Sequence, residues 1–196
     1  MSRTESQAQT RELLLATAQR LFLAQGYART SLERVAAEAG YSKGAVYSNF
    51  GNKFDLCLAV VDRVRTEQAA AIAAELGSAR SPADLLEGLR RWAEQHLGAE
   101  QWTVLEVEFA TASRDHPWVR AEIARRRDEI VEALAALVES LAAEHDVRLR
   151  LPARDAAVMG LSLGVGLGAQ RAVDPTVPVS PFIDFLALVL GIAENR

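Results

Sequence analysis

The chain has 196 residues, of which 49% are hydrophobic, and this content excludes a largely disordered protein. Its formal net charge of −4 excludes a uniformly basic nucleic-acid-binding protein, and its single cysteine, Cys57, excludes an intrachain disulfide and favours a reducing compartment. Residues 1–12 lack the apolar stretch of a signal peptide, and the longest uncharged apolar run, 156–169, is shorter than the roughly 20 residues that cross a bilayer. We therefore expect a cytoplasmic protein with no membrane partner.

Two helices are predicted at the start of the chain. Apolar residues recur at helical spacing over 9–25, and Gly26 marks the end of this first helix. The second helix follows at 30–39, where the apolar positions i, i+3, i+4 and i+7 are Leu32, Val35, Ala36 and Ala39.

The ends of the second helix also have sequence signals. Thr30 followed by Glu33 fits a capping box, in which each side chain satisfies a backbone amide of the first turn. Gly40 fits the C-terminal end, because glycine enters the left-handed conformation without a steric cost. We expect a tight turn immediately after Gly40.

A third, short helix is predicted over 43–50, with Ser42 as its N-cap and with Val46 and Phe50 facing inward. The remaining side chains of this helix are small, polar or basic and suit an outward face: Lys43, Gly44, Ala45, Tyr47, Ser48 and Asn49. Two short helices joined by a tight turn form a helix-turn-helix, whose second helix enters the major groove of DNA. Both lysines of the chain, Lys43 and Lys53, lie in or beside it.

Charge is distributed unevenly along the chain. Residues 1–56 contain seven basic and five acidic side chains, a balance of +2, so the remainder has a balance of −6. This small excess could arise by chance, but a basic face on phosphates does not require a basic protein, because only the contacted charges release counterions.

This pattern resembles the tetracycline-repressor (TetR) family of bacterial transcriptional regulators over residues 10–60. The shared residues are Phe22, Gly26, Tyr27, Thr30, Ser31, Val35, Ala36, Ala39, Gly40, Ser42, Lys43, Gly44, Tyr47, Phe50 and Lys53. The resemblance implies DNA contacts from Thr30, Ser31, Ser42, Lys43, Gly44, Ala45, Tyr47, Ser48, Asn49 and Lys53. Ala45 replaces a common threonine, and Ser48 and Asn49 stand where an aromatic residue or histidine is common, so the resemblance leaves base reading open.

Two of these residues have an alternative interpretation. Tyr47 could be a core aromatic, but Val46 and Phe50 already occupy the inward positions, which leaves the Tyr47 hydroxyl available for a phosphate. Lys53, at the start of the next helix, could be a solvated side chain or a phosphate contact.

The rest of the chain predicts six more helices, at 53–76, 82–97, 100–113, 117–144, 153–173 and 180–194. No alternation typical of β-strands appears, so we expect an all-α fold of about nine helices. We divide it into a helix-turn-helix domain, 1–55, and a larger helical domain for effector binding and dimerisation, 56–196. The helix at 53–76 begins in the first domain and ends in the second, so it is the expected mechanical link.

The segment 153–173 has three glycines at four-residue intervals, although a helical glycine costs about 1 kcal/mol relative to alanine. Such a stripe indicates close approach by another helix, either in the same chain or in a second copy. The resemblance implies a dimer through the last two helices. The expected interface residues are Gly160, Gly164, Gly168, Phe182, Phe185, Leu186 and Val189.

An effector site is expected in the second domain, where the resemblance implies a small-molecule pocket. Its candidate residues are Trp92, His96, Trp102, Leu105, Glu106, Phe109, Trp118 and Met159. Any one of these aromatics could be core instead. Glu106 and Glu108 either are solvated or face inward, where a carboxylate would favour a cationic group or take up a proton. The apolar composition indicates a largely apolar, neutral or singly charged effector.

No catalytic or metal-binding pattern appears, since the three histidines are isolated and Cys57 has no nearby histidine. We expect no enzymatic activity and no cofactor. The favoured hypothesis is a homodimeric repressor that binds a pseudo-palindromic operator and is released by an effector. The alternatives are a DNA-binding regulator without a small-molecule effector, controlled by a protein partner or by abundance, and an all-helical enzyme.

Overall fold

The computed structural model describes residues 3–77, 79–98 and 102–192, and the described residues form nine helices and no strands. The predicted all-α fold is confirmed. The helices are α1 (Arg3–Arg29), α2 (Leu32–Ala39), α3 (Lys43–Phe50), α4 (Lys53–Leu76), α5 (Pro82–His96), α6 (Trp102–Ala112), α7 (Pro117–Glu144), α8 (Ala153–Val173) and α9 (Ser180–Val189). The helix ends predicted at 100 and 194 lie outside the described residues.

The first helix is longer than predicted, but the predicted break is present. At Gly26 the backbone has φ 82° and ψ 168°, which is not helical, and the chain resumes a helical course to Arg29. This part of conformational space is essentially restricted to glycine. Gly26 therefore separates the main body of α1 from a short last turn.

By compactness the chain divides into two units. Unit 1 contains Met1–Glu67 and Val104–Arg120, and unit 2 contains Gln68–Thr103 and Ala121–Arg196. The sequence of α4 passes from unit 1 to unit 2 after Glu67, as expected of a helix that belongs to two domains. Unit 1 thus contains the helix-turn-helix, the part of α4 up to Glu67 and the part of α6 from Val104 onwards. The functional boundary after residue 55 stays a prediction.

The core of unit 1 forms because α1, α2 and α3 each bury one apolar stripe against the others. Its almost fully buried side chains include Leu14, Leu21, Phe22, Val35, Val46 and Leu56. Each of these side chains contributes about 1.5–3 kcal/mol by leaving water. This packing fixes the orientation of α3 relative to α1 and α2.

Unit 2 contains two apolar clusters. One comprises Ala93, Leu97, Val179, Phe182 and Ile183, and it joins α5 to the start of α9. The other comprises Val131, Ala135, Ala153 and Ala157, and it joins α7 to α8. The small residues of the second cluster allow α7 and α8 to approach closely.

Among the described residues, α8 is long and apolar enough to cross a membrane by length and composition alone, which differs from the expectation based on the uncharged run. Only 17% of its most apolar window is buried within the chain. Its ends carry Arg154, Asp155 and Arg171, and the Arg171 guanidinium donates to the Leu97 carbonyl at 2.7 Å. An apolar helix with one exposed face is also typical of a protein–protein interface.

Candidate functional site: the helix-turn-helix surface

The turn between α2 and α3 has the geometry that its sequence predicts. Gly40 has φ 76°, and the Tyr41 amide donates to the Ala36 carbonyl at 2.9 Å, which closes α2 in a Schellman-type cap. The Ser42 hydroxyl accepts from the Ala45 amide at 3.3 Å and begins α3. The two helices are therefore held at a defined angle by local hydrogen bonds.

The predicted capping box at the start of α2 is wrong. The N-cap is Ser31, whose hydroxyl accepts from the Arg34 amide at 3.1 Å. Thr30 is only 1% exposed, and its hydroxyl donates to the Gly26 carbonyl at 3.0 Å, so it satisfies the end of α1 instead. Because that hydroxyl is buried, only the backbone of Thr30 is left for the predicted helix-end phosphate contact, which stays a prediction.

The outward face of α3 is the one predicted. Val46 and Phe50 are buried, whereas Tyr47 is 44% exposed and its ring projects from the helix. Lys43, Gly44 and Ser48 are also exposed, and Ala45 and Asn49 are partly exposed. This face thus presents a basic residue and a phenol side by side, next to small residues.

Two polar side chains of this face fold back onto the helix. The Ser48 hydroxyl and the Asn49 amide both donate to the Ala45 carbonyl, at 3.0 Å and 2.8 Å. If one of these side chains turns to a partner outside the chain, the other still donates to the Ala45 carbonyl.

Lys43 is the basic group of this surface and the first residue of α3. Its ammonium forms an ion pair with Glu33 on α2 and lies 5.5 Å from the centre of the Tyr47 ring. The hydrogen bond with Glu33 raises the pKa of Lys43, and the same bond lowers the pKa of Glu33. Both groups are exposed and charged, so the pair rearranges at little cost.

Lys53 is less available than a surface lysine. Its ammonium lies 4.1 Å from the centre of the Tyr27 ring and is 3.4 Å from the Ala28 carbonyl. Partial burial lowers the pKa of Lys53. Lys53 therefore has a packing role beside Tyr27, and its phosphate contact stays a prediction.

The eight predicted effector residues fall in both compact units. Unit 1 contains Leu105, Glu106, Phe109 and Trp118, and unit 2 contains Trp92, His96, Trp102 and Met159. Met159 is 46% exposed and Trp118 is 49% exposed. The structure thus does not gather the eight residues into a single compact unit.

The members in unit 1 have partners that the sequence did not indicate. Phe109 is buried, with ring centres 5.2 Å from Tyr27 and 6.2 Å from Phe54. Glu106 pairs with Arg65 at 2.7 Å, and Glu108 accepts from the Tyr27 amide at 2.7 Å. Neither carboxylate is simply solvated, because each stabilises the packing of α6 within unit 1.

Trp92 packs against the apolar cluster of α5 and α9, and His96 lies beside Trp92. Their rings stack with centres 5.7 Å apart, and His96 Nδ1 is 2.9 Å from the Trp92 carbonyl oxygen. The Trp92 indole N–H is buried and has no acceptor among the described residues. The Gln68 side-chain oxygen is likewise buried without a donor within the described ranges, and no sequence signal marked Gln68.

The glycine stripe of α8 faces its own chain. A side chain at Gly160 would lie 3.9 Å from Phe185, one at Gly164 would lie 3.9 Å from Phe182, and one at Gly168 would lie 2.6 Å from the Thr103 hydroxyl. These contacts fit the alternative in which the glycine stripe packs against other parts of the same chain. Gly168 is buried, so it is unsuited to a subunit interface. Of the other predicted interface residues, Phe182 and Val189 are buried, and Phe185 and Leu186 are partly buried.

The residues that α8 and α9 leave exposed are different ones. Met159, Leu163 and Gly166 lie at i, i+4 and i+7 on one stripe of α8, and Leu188 of α9 is 67% exposed. The sequence does not predict this stripe, because the glycine spacing indicates a helix contact on a different face of α8.

Neither a metal-binding cluster nor an activated thiol occurs in the part of the chain that the structure describes. No group of three potential ligands is found there. Cys57 is completely buried, and burial raises the pKa of its thiol, as expected of a structural cysteine.

Comparison with known proteins identifies this helix-turn-helix. The family model of the tetR family of bacterial regulatory proteins matches residues 14–60. The HTH-type transcriptional repressor BepR of Brucella suis biovar 1 (strain 1330) is 36% identical over 69 residues, which are 35% of this chain and 33% of BepR. Residues 14–60 of the chain thus form a TetR-family helix-turn-helix. The matching segment spans about a third of the curated relatives, and these TetR-family relatives are transcriptional regulators, not enzymes.

Solved structures share this fold over nearly the whole chain. A TetR-family transcriptional regulator from Rhodococcus sp. is 18% identical, with a TM-score of 0.75 over 93% of this chain and 99% of that one. SmeT, in a complex with triclosan, is 26% identical, with a TM-score of 0.62 over 91% of this chain and 88% of SmeT. The TetR fold thus includes both compact units.

Proposed function

We propose that this TetR-family protein is a homodimeric, cytoplasmic transcriptional repressor that binds a pseudo-palindromic operator and leaves it when a small, largely apolar effector binds. The observation that carries the proposal is the exposed face of α3, where Lys43 and Tyr47 stand on a helix fixed by buried Val46 and Phe50. A recognition helix must be rigid toward its own domain and free toward the major groove, and α3 meets both requirements.

The surface suits phosphate contacts at its edges and base contacts at its centre. The Tyr47 hydroxyl and the Lys43 ammonium can donate to phosphates, while Ser48 and Asn49 can exchange their bonds to the Ala45 carbonyl for base edges. Gly44 and Ala45 add little bulk, so the helix backbone can approach the duplex closely. Phosphate contacts set the position on DNA, and base contacts set the preferred sequence.

A two-fold dimer supplies two such helices for two half-sites. The exposed stripe of Met159, Leu163 and Gly166 on α8, together with Leu188 on α9, is the surface that we assign to the second copy. A contiguous apolar stripe of this kind favours association, because pairing removes it from water. Gly166 has open space on this side, since nothing lies within 4 Å of a side chain built there.

The effector is assigned to unit 2, beside Trp92. A buried indole N–H without an acceptor costs about 1–3 kcal/mol, and a ligand that provides an acceptor recovers part of that free energy. The surrounding cluster of α5 and α9 is apolar, so the ligand that fits is apolar with one hydrogen-bond acceptor. SmeT, the 26% identical relative, forms a complex with triclosan, which supports a small-molecule effector here.

Release requires the effector to prefer one of two conformations of the dimer. In the proposed mechanism, α4 transmits the change, because its sequence belongs to both compact units. An effector with equal affinity for the DNA-bound and the released conformation would shift nothing.

The test begins with selection of genomic fragments by the purified protein, which gives the operator. Fluorescence anisotropy then compares Lys43→Ala and Tyr47→Phe with the parent at several salt concentrations. Tyr47→Phe should weaken binding roughly two- to tenfold, the value of one hydrogen bond. Lys43→Ala should also lower the slope of log affinity against log salt by up to about 0.9, the full value of one phosphate contact.

Arg127→Ala is the matched control. Arg127 is an exposed cation on α7 that pairs with the neighbouring Asp128 at 3.4 Å, and it lies in unit 2, outside the proposed surface. This variant should bind the operator like the parent. Unchanged affinity in both α3 variants, with folding and dimerisation intact, would show that α3 is not the recognition helix.

A further inference from the structure

The ion pair between Lys43 and Glu33 joins the proposed recognition helix to α2 across the exposed surface. The two side chains are 54% and 55% exposed, so water already surrounds both. The turn itself is held by the Gly40 and Ser42 caps and by buried Val35 and Val46. Glu33 is therefore not needed to hold α3 in place.

A second carboxylate on α2 makes a useful comparison. Glu38 pairs with Arg20 on α1 at 2.5 Å and with Arg34 on α2 at 3.0 Å, so it stabilises the packing of the first two helices. Glu33 and Glu38 are on the same short helix and have the same charge, yet only Glu33 faces a group that we assign to DNA. This difference separates a structural carboxylate from one that acts on the binding surface.

We propose that Glu33 competes with a DNA phosphate for Lys43 and thereby lowers the affinity of the protein for every duplex. This inference rests on the proposed function, in which α3 enters the major groove. When a phosphate approaches the Lys43 ammonium, the carboxylate of Glu33 is repelled by a second negative charge. The ammonium must exchange one anionic partner for another, so the net gain from this contact is smaller than for an unpaired lysine.

The same exchange changes the salt dependence of binding. A lysine that has no protein partner neutralises a phosphate outright and displaces condensed counterions from the DNA. Lys43 enters the complex already paired with Glu33, and the repelled carboxylate recruits a cation from solution as the lysine leaves it. Glu33 therefore reduces the number of ions released, and its neutralisation restores that number.

The ion pair of Lys43 with Glu33 would also help a regulator to distinguish its operator from other DNA. A protein that binds all DNA tightly is dispersed over the many nonspecific sites of a genome. By weakening a phosphate contact that is common to all duplexes, Glu33 leaves a greater share of the total affinity to the base contacts of α3.

The experiment compares Glu33→Gln with Glu38→Gln in the full-length dimer, on the selected operator and on an unrelated duplex of equal length, at four salt concentrations. Glu33→Gln should tighten binding to both duplexes by roughly 1.4- to fivefold, which corresponds to the free energies of exposed ion pairs. Its salt slope should be steeper by up to about 0.9. Glu38→Gln, which removes the same charge from the same helix, should change affinity less.

A double-mutant cycle then assigns the effect to Lys43. In the Lys43→Ala background, Glu33→Gln should tighten binding no more than Glu38→Gln does. Glu33→Ala is the second variant, and thermal unfolding of all variants shows whether a change in affinity comes from a change in folding.

The proposal is overturned if Glu33→Gln weakens binding, because Glu33 would then position Lys43 for DNA instead of competing with it. It is also overturned if Glu33→Gln matches Glu38→Gln, or if its gain persists without Lys43. If Lys43→Ala leaves binding unchanged, this proposal fails, and the recognition surface fails with it only if Tyr47→Phe is neutral as well. If Lys43→Ala weakens binding while Glu33→Gln is neutral, only the competition fails.

Discussion

Replacement of Gly26 by alanine should destabilise unit 1 more than any other glycine-to-alanine change in the helix-turn-helix. With φ 82° and ψ 168°, Gly26 occupies a region that costs other residues about 1–3 kcal/mol. The added Cβ would also lie 2.5 Å and 3.0 Å from the two carboxylate oxygens of Glu108. Glu108 must then move, and the Tyr27 amide loses the 2.7 Å bond that it donates to this carboxylate.

The lost hydrogen bond adds about 1–2 kcal/mol to the backbone strain, so the expected loss for Gly26→Ala is about 2–5 kcal/mol. This is a large part of the roughly 5–15 kcal/mol that stabilises an ordinary domain. Urea unfolding followed by tryptophan fluorescence measures it, because Trp118 lies edge-on to Phe54 in the same unit, with ring centres 6.0 Å apart. All variants are compared at one protein concentration, since dimerisation contributes to apparent stability.

Gly40→Ala and Glu108→Ala separate the cost of backbone strain from the cost of the contact with Glu108. Gly40 also has a positive φ, 76°, but nothing lies within 4 Å of an added Cβ, so Gly40→Ala shows backbone strain alone, about 1–2 kcal/mol. In a cycle, Gly26→Ala should cost less when Glu108 is already alanine, because the contact has been removed. Equal losses for Gly26→Ala with and without Glu108→Ala would refute the role of Glu108.

Three further outcomes are expected. Leu163→Arg should give a folded monomer in a sedimentation experiment. The control, Leu137→Arg at an exposed leucine of α7, should leave the dimer intact. A dimer in both cases would place the interface elsewhere. Gly168→Ala should lower the thermal midpoint because its Cβ would lie 2.6 Å from the Thr103 hydroxyl. In the Leu163→Arg monomer, Gly166→Ala has open space and should stabilise by up to about 1 kcal/mol; the reverse order contradicts the packing of α8. Trp92→Phe should raise the concentration at which an effector with a hydrogen-bond acceptor releases the operator, with operator affinity unchanged. An unaltered response would show that the Trp92 indole does not contact the effector.

The features that could be predicted from the sequence are those that depend on local spacing. The apolar periodicity of α2 and α3, the left-handed Gly40 and the Ser42 N-cap each involve residues within four positions of one another. The sequence pattern places the N-cap of α2 at Thr30, one residue before the observed Ser31, because both residues have a hydroxyl that fits the local pattern. Only the packing of α1 shows that the Thr30 hydroxyl is buried against the Gly26 carbonyl.

Contacts between distant residues could not be predicted. The carboxylate of Glu108 bonds to an amide 81 positions earlier, and Glu106 pairs with a guanidinium 41 positions earlier. The sequence leaves open whether these two carboxylates are solvated or face inward, because a single sequence does not show which surfaces of two helices meet. The same limit applied to the glycines of α8, whose spacing indicated a close helix contact but not whether the contact is in the same chain.

The division of labour within α3 has a consequence for how such a regulator changes over time. The residues that fix the helix are Val46, Phe50 and the caps at Gly40 and Ser42, whereas Ser48 and Asn49 only return their hydrogen bonds to the Ala45 carbonyl. Surface substitutions of this kind usually change folding stability by less than about 0.5 kcal/mol. After a gene duplication, one copy could therefore acquire a new operator by changes at these two positions, while the other copy retains its original target and both keep the same fold.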